Sequence, residues 1–200
     1  MPDFRDLTLY VIRHGQTEDN VAGRWTGCND SPLTELGREH ARASGRVLKR
    51  IAGDLSRYDF FASPLHRAST TMRLMRVAAG LPELGYHADR RLKEGDCGDY
   101  TGMTEDEIRA IARDHLATRY PDEWVWKAPG GESLAEQQVT VARFLRTLTR
   151  DSVIVCHGYT SRVLRAEVLG LSPAEAAAGG MMPNTGVVRF AGGRQEFFPE

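Results

Sequence analysis

Three stretches of the chain carry side chains that core packing does not call for: Arg13-His14-Gly15, Ser63-Pro64-Leu65-His66-Arg67 and His157-Gly158. Each follows an apolar run that reads as a β-strand, Thr8 to Ile12, Arg57 to Ala62 and Ser152 to Cys156 respectively. Ligands of open α/β sheets bind beyond the carboxyl ends of the strands. If these strands are parallel neighbours, two guanidiniums, two imidazoles and the amino ends of two helices converge on one volume. Arginine offers planar, bidentate donors to phosphate oxygens, and helix amino ends add N–H donors and partial positive charge. The chemistry implied is capture of a phosphate without a P-loop, since no G-x-x-x-x-G-K-[ST] run occurs. Alone, a histidine at a strand end is more often structural, and Arg67 in a first helical turn is more often a solvated charge. Their joint occurrence at successive strand-to-helix junctions favours the anion site.

The elements that must position these groups alternate between strand and helix. Gln16 to Pro32, rich in Gly, Asn and Asp, reads as a long irregular loop of the kind that is often functional. Thr34 caps a helix from Glu35 to about Ile51, with Leu36, Ala43, Val47 and Leu48 on its apolar face. Ser63 as N-cap and Pro64 at the first helical position open a helix running to about Ala79, closed by Gly80. Tyr86 to Ala88 is a short strand, and Glu94 to Gly102 a glycine-rich segment. Helices follow from Thr104 to about Tyr120, from about Glu132 to Thr149, and from His157-Gly158 to Leu169. An Ala/Gly stretch leads to strands near Gly186 to Phe190 and Gln195 to Phe198. The alternation predicts a three-layer αβα sandwich on a mostly parallel central sheet, with residues 1–200 as one domain.

Composition sets outer bounds. With 41% hydrophobic and 26% charged residues, the 200-residue chain is ordinary for a soluble globular protein. A formal net charge of −1 gives no global field for nucleic acid or an anionic membrane, so any anion site is a local concentration of cations. The odd cysteine count, Cys28, Cys97 and Cys156 without a C-x-x-C pair, suits a reducing compartment rather than a disulfide scaffold. No apolar run approaches membrane-spanning length and Met1 to Asp6 is not a signal peptide, so the expected location is cytoplasmic. Nothing in the chain specifies an oligomeric state.

Read as an ordered set, Arg13-His14-Gly15-Gln16-Thr17 with Asn20, Gly23-Arg24, Thr26-Gly27 and Asp30-Ser31-Pro32-Leu33-Thr34 with Gly37 resembles the signature of the histidine phosphatase superfamily, the phosphoglycerate mutase-like fold. The likeness resumes at Ser63 to Ala68, Leu92-Lys93-Glu94, Gly98 to Thr104, Pro129 to Ser133 and Val155 to Gly158. The resemblance implies that His14 is the nucleophile that becomes phosphohistidine. Arg13, Arg67 and His157 would clamp the phosphoryl group, with Gln16, Thr17, Asn20, Thr26, Gly27 and the Gly158 amide as binding residues. Flanking cations favour a neutral imidazole with a free lone pair and stabilise charge on the equatorial oxygens of the transferring group. Glu94 is the expected acid for the leaving alkoxide and then the base for water, with Asp96 and Asp99 as nearby rivals. No cofactor and no metal are implied, and the histidines lack H-E-x-x-H spacing.

Other features have plainer readings. Cys156 and His157 point to opposite faces as neighbouring strand residues, which makes Cys156 a small core residue rather than a thiolate partner. His40, His66, His87 and His115 read as scattered surface groups, and Trp124 and Trp126 either line a substrate wall or cover the core. The acidic run Asp96, Asp99, Glu105, Asp106 after Glu94 departs from the basic pattern of cofactor-dependent phosphoglycerate mutases. So do the missing Arg-Arg pair near Trp124 to Lys127 and Tyr159 in place of a small amide. These departures favour a phosphatase acting on a small phosphorylated metabolite. Arg24, Lys93 and Lys127, which could contact a second charge, keep a mutase or a sugar-bisphosphate phosphatase open as alternatives; a phosphoprotein phosphatase and a non-catalytic phospholigand binder are the other readings.

Overall fold

The structure is a computed structural model that describes residues 3–119 and 123–200. Its strands are β1 (Leu9–Arg13), β2 (Asp59–Ala62), β3 (His87–Ala88), β4 (Ser152–Cys156), β5 (Val187–Ala191) and β6 (Arg194–Phe198). Its helices are α1 (Glu18–Ala22), α2 (Glu35–Ala52), α3 (His66–Ala78), α4 (Glu105–Ala117), α5 (Leu134–Leu145), α6 (Gly158–Leu169) and α7 (Pro173–Ala178).

The strands form one sheet in the order β3-β2-β4-β1-β5-β6, with β1, β2, β3 and β4 parallel, β5 antiparallel to β1 and β6 antiparallel to β5. Strand alternation makes the three layers. In β1 and β4 the residues Leu9, Val11, Ile154 and Cys156 face one way, packing with Val141, Phe144, Val163 and Leu164 of α5 and α6. Tyr10, Ile12, Val153 and Val155 face the other way, against Val47, Leu48, Met72 and Met75 of α2 and α3. Each fully buried side chain of this size contributes about 1.5–3 kcal/mol relative to exposure. A smaller cluster of Tyr100, Ile108, Leu116 and Ala128, joined by Trp25 and Trp126, stands apart from these two.

The sheet order places β1 between β4 and β5, and β4 between β1 and β2. The parallel register pairs Arg13 with Cys156 and Ala62 with Val155, so the three strand ends lie on one rim as the sequence predicts.

Several local expectations are corrected. The 16–32 segment contains α1, closed by a reciprocal cap in which the Thr17 hydroxyl accepts from the Asn20 amide and the Asn20 side chain from the Thr17 amide, each at 3.2 Å. It buries no residue, so it leaves no hydrophobic periodicity to read. The helix after β2 starts at His66 rather than at Pro64, because Ser63 folds back to accept the Leu65 amide at 3.3 Å. The Ala/Gly stretch holds α7, opened by Ser172 and Glu175 as a capping box. Helix α4 is broken at Ala112, where φ is −144° and ψ is 41°. The Tyr120 end of the expected helix lies outside the described residues.

Candidate active site

The rim encloses a cavity of 320 Å³ whose wall includes Arg13, His14, Asn20, Arg67 and Glu94, within the usual range for small-molecule sites. Thr26 and Gly27 also line it. The turn that presents His14 is fixed by close backbone approach. A Cβ on Gly15 would stand 2.0 Å from the Gly37 carbonyl oxygen, and one on Gly37 would stand 1.9 Å from that of Gln16. Only glycine fits at either position. The Gly15 amide donates to the Thr71 hydroxyl of α3 at 3.1 Å, tying the turn to a second helix.

His14 is buried, and its Nδ1 lies 2.8 Å from the Gly15 carbonyl oxygen. A carbonyl can only accept, so Nδ1 carries the proton and Nε2 keeps its lone pair. Burial, then the charges of Arg67 and Arg13, push the imidazole pKa from 6.5 down to about 3, against the opposing pull of the Gly15 carbonyl. The ring is therefore neutral and nucleophilic at physiological pH. His157 stands edge-on to it, with ring centroids 5.1 Å apart, and burial together with His14, Arg67 and Arg13 holds its pKa well below 6.5.

The guanidiniums are anchored by backbone carbonyls. Arg13 Nη1 donates to Met182 O at 3.0 Å, while Arg67 donates to Asn29 O and, at 2.8 Å, to Gly27 O. Carbonyl anchors orient the cations without neutralising them. Asp30 is a partial exception, 3.4 Å from Arg67 Nη1. Arg13 Nε, Arg67 Nε and both ring nitrogens of His157 are buried without a partner. Unmet buried polar groups of this kind are costly. Arg13 and Arg67 line the cavity and offer it donors for an anion; His157 and Gly158, expected beside the phosphoryl group, are not among its lining residues, His157 packing on the ring of His14.

The two helix amino ends behave differently from expectation. The first amides of α3, from His66 and Arg67, donate to the Asp30 carboxylate at 2.8 and 3.3 Å. Those of Tyr159 and Thr160 in α6 donate to Glu94, at 3.2 and 3.1 Å. Both helix dipoles are thus satisfied by carboxylates of this chain, leaving the Gly158 amide as the α6 donor not so used. Gly158 packs beside Arg13, where a Cβ would come within 3.6 Å of the guanidinium and 2.8 Å of Met181 Sδ. Glu94 also accepts from the Thr160 hydroxyl and the Gly95 amide at 3.2 Å each. The carboxyl is therefore held against the cavity wall by four donors.

Gln16 and Thr17, expected to touch the ligand, build the loop instead. The Gln16 side chain accepts from the Thr34 hydroxyl at 3.0 Å, Thr17 caps α1, and neither lines the cavity. Of the rivals to Glu94, neither Asp96 nor Asp99 lines it. Trp124 is a core residue, bonded through Nε1 to Gln138 at 3.0 Å. Trp126 is half-buried and stacks on Tyr100. His115 is likewise half-buried, its Nδ1 2.9 Å from the Tyr100 hydroxyl, rather than a free surface group.

Asn184 and Met181 are lining residues that sequence reasoning missed. Asn184 donates to the His14 carbonyl at 2.8 Å and to Asn20 Oδ1 at 3.3 Å, fastening the two loops together. The signal was present: Pro183-Asn184-Thr185-Gly186 is a turn cluster directly before β5. Because β5 runs antiparallel to β1, its start lies beside the end of β1. Among the described residues no group of three or more His, Cys, Asp or Glu is placed to hold a metal ion, and no helix is long and apolar enough to cross a membrane.

A buried, neutral histidine between two arginines at the carboxyl rim of an αβα sheet, faced by a carboxylate, defines a phosphoryl-transfer class of site. The chain matches the model of the histidine phosphatase superfamily (branch 1) over residues 9–198 and belongs to that family. It is 37% identical over 180 residues to the 2,3-bisphosphoglycerate-dependent phosphoglycerate mutase of Methylobacterium radiotolerans, covering 84% of this chain and 81% of that one. Among solved structures, a mycobacterial glucosyl-3-phosphoglycerate phosphatase in complex with VO3 is 30% identical, with a TM-score of 0.80 over 96% of this chain and 97% of that one. Bacillus stearothermophilus YhfR is 28% identical, with a TM-score of 0.80 over 97% and 96% of the two chains.

Proposed function

We propose that this chain is a phosphomonoesterase that works through a phosphohistidine at His14 on a small phosphorylated metabolite. The observation that carries the reading is the state of His14: the Gly15 carbonyl fixes its tautomer, burial together with Arg67 and Arg13 holds it neutral, and it opens on the same cavity as Glu94. In the first step Nε2 attacks phosphorus in line with the ester oxygen. The P–O bond breaks and the leaving alkoxide takes a proton from the Glu94 carboxyl. Arg13, Arg67, His157 and the Gly158 amide stabilise the charge on the equatorial oxygens, with Asn20, Thr26 and Gly27 completing the wall. In the second step Glu94 takes a proton from water, the resulting oxygen nucleophile attacks phosphorus, and Nε2 leaves as the neutral imidazole.

A mutase reading draws on the 37% identity to a phosphoglycerate mutase. Hydrolysis is favoured by the placement of the cations a bisphosphorylated acid would need: of Arg24, Lys93 and Lys127 only Arg24 lines the cavity, and it is paired with Glu107. Lys93 and Lys127 do not line the cavity, and Lys127 is paired with Glu136 at 2.7 Å. Tyr159 occupies the wall beside Glu94. A panel of phosphorylated metabolites scored for phosphate release, run beside a phosphoglycerate mutase assay primed with 2,3-bisphosphoglycerate, separates the two. The expected result is phosphate release; isomerisation of phosphoglycerate without net hydrolysis would replace this reading with the mutase.

A further inference from the structure

The cavity lining divides into two halves of different chemistry. One half comprises the buried His14 and Arg67 and the half-buried Arg13. The other half comprises the half-buried Trp25, Tyr159 and Asp19 and the exposed Met181 and Arg24.

The indole of Trp25 is held rigidly. It meets Trp126 and Tyr100 edge-on, with centroids 6.1 and 6.3 Å away, and the Arg119 guanidinium sits 4.9 Å from its own centroid. Its backbone is clamped from both sides: its amide donates to Met103 O and its carbonyl accepts from the Gly102 amide, both at 2.8 Å. Tyr159 is pinned as well, its hydroxyl accepting from Arg119 at 2.7 Å and its amide donating to Glu94. Two aromatic walls therefore stand in fixed positions on the cavity that Glu94 also lines.

The charges of this half are already spoken for. Arg24 donates to Gly102 O at 2.7 Å and to the Glu107 carboxylate at 2.9 Å. Glu107 is in turn fixed by the Thr104 amide at 2.8 Å as the partner in the α4 capping box. Arg119 is engaged by Glu123 and Tyr159. Asp19 contributes a carboxylate, which repels an anion.

We infer that the substrates are monophosphate esters of uncharged alcohols with a flat or apolar face, an aryl, nucleoside or sugar ring packed on Trp25. The Arg24–Glu107 pair selects against leaving groups bearing a carboxylate or a second phosphate. The inference rests on the phosphomonoesterase reading. An aromatic face adds stacking to the burial of apolar area. A second anion would meet Asp19 and an arginine that must first leave Glu107.

The test compares kcat/KM for phenyl phosphate, glycerol 3-phosphate and 3-phosphoglycerate in the full-length protein and two variants. Trp25→Ala should lower the phenyl-to-glycerol phosphate ratio by about tenfold, while Trp25→Phe, which keeps a flat ring, restores most of it. Taking ratios within each variant cancels the better leaving ability of phenol, and vanadate inhibition reports that the phosphoryl pocket of each variant is intact. Glu107→Gln should raise the 3-phosphoglycerate-to-glycerol phosphate ratio by about threefold, as Arg24 is released. A ratio unmoved by Trp25→Ala, or a wild type that prefers 3-phosphoglycerate to glycerol 3-phosphate, overturns the inference and leaves the phosphatase reading standing. Hydrolysis of none of the esters despite vanadate binding overturns that reading, and the inference with it.

Discussion

Thr160 gives Glu94 two hydrogen bonds, its backbone amide at 3.1 Å and its hydroxyl at 3.2 Å, both to the same carboxylate oxygen. The single hydroxyl proton is shared with the Lys93 carbonyl, an acceptor at 2.8 Å, and Gln137 donates to the hydroxyl oxygen at 3.0 Å. The proposed proton-transfer group is thus aimed by the first turn of α6, the helix that also supplies the Gly158 amide.

Replacing that hydroxyl should misplace the carboxyl without emptying the phosphate site. Thr160→Val is expected to lower kcat by about tenfold, the worth of one charge-assisted hydrogen bond, with little change in the inhibition constant of phosphate. Thr160→Ser should recover most of the rate. Steady-state kinetics of the three proteins checks this; a proportional rise in KM with kcat unchanged would show that Thr160 serves binding instead.

Asp30 joins Arg67 of the proposed phosphate clamp to the fold. Its carboxylate caps α3 through the amides of His66 and Arg67 and touches the Arg67 guanidinium. Asp30→Ala should cost about 1 kcal/mol for the lost cap and should weaken inhibition by inorganic phosphate as Arg67 loses its alignment. Denaturant unfolding and phosphate titration measure the two effects separately.

Acid should destabilise the protein through its neutral imidazoles. His14 protonates near pH 3 when folded and near 6.5 when exposed, so between those values the unfolded chain binds more protons. Stability therefore rises with pH across that window and levels off above 6.5. His157, also held well below 6.5, adds in the same direction. Thermal melts from pH 4 to pH 8, repeated with His14→Asn, should show a shallower acid slope in the variant. As the proposed nucleophile, His14 stays unprotonated through this range, so its titration is expected to leave no acid limb near 6.5 in kcat/KM.

The Gly15–Gly37 contact is a backbone-on-backbone approach that leaves nothing soft to yield. Gly15→Ala places a Cβ 2.0 Å from the Gly37 carbonyl oxygen and should cost about 3 kcal/mol or more. Loss of soluble folded protein, or a large drop in Tm, is the expected readout; wild-type stability would contradict the contact.

Much of this site was legible in the sequence because its main parts are local. Arg13-His14, Arg67 and His157-Gly158 each sit at the end of an apolar run, and parallel order brings such ends together. The αβα layering followed from the same alternation. What the sequence hid was long-range or polar. Asp30 caps α3 from 36 residues away, so the local Ser63-Pro64 signal pointed to the wrong start. Helix α1 is held by its caps and by hydrogen bonds to Ser31 and Pro32, with no buried face to create a period. Gln16 and Thr17 sit within the signature yet serve the loop, because adjacency to a motif does not give the direction of a side chain. Asn184 reaches His14 only through the antiparallel return of β5, a pairing that no local pattern specifies.

The central claim is that His14 carries the phosphoryl group. Rapid acid-free quenching of wild type with a 32P-labelled ester, followed by mass spectrometry of the phosphopeptide, tests it directly. The account predicts an acid-labile, base-stable phosphoryl group on His14 in wild type, accumulating further in Glu94→Gln when the first step is driven by a leaving group such as para-nitrophenol that needs no proton. A phosphoenzyme that persists in His14→Ala, or turnover there at the wild-type rate, would contradict it.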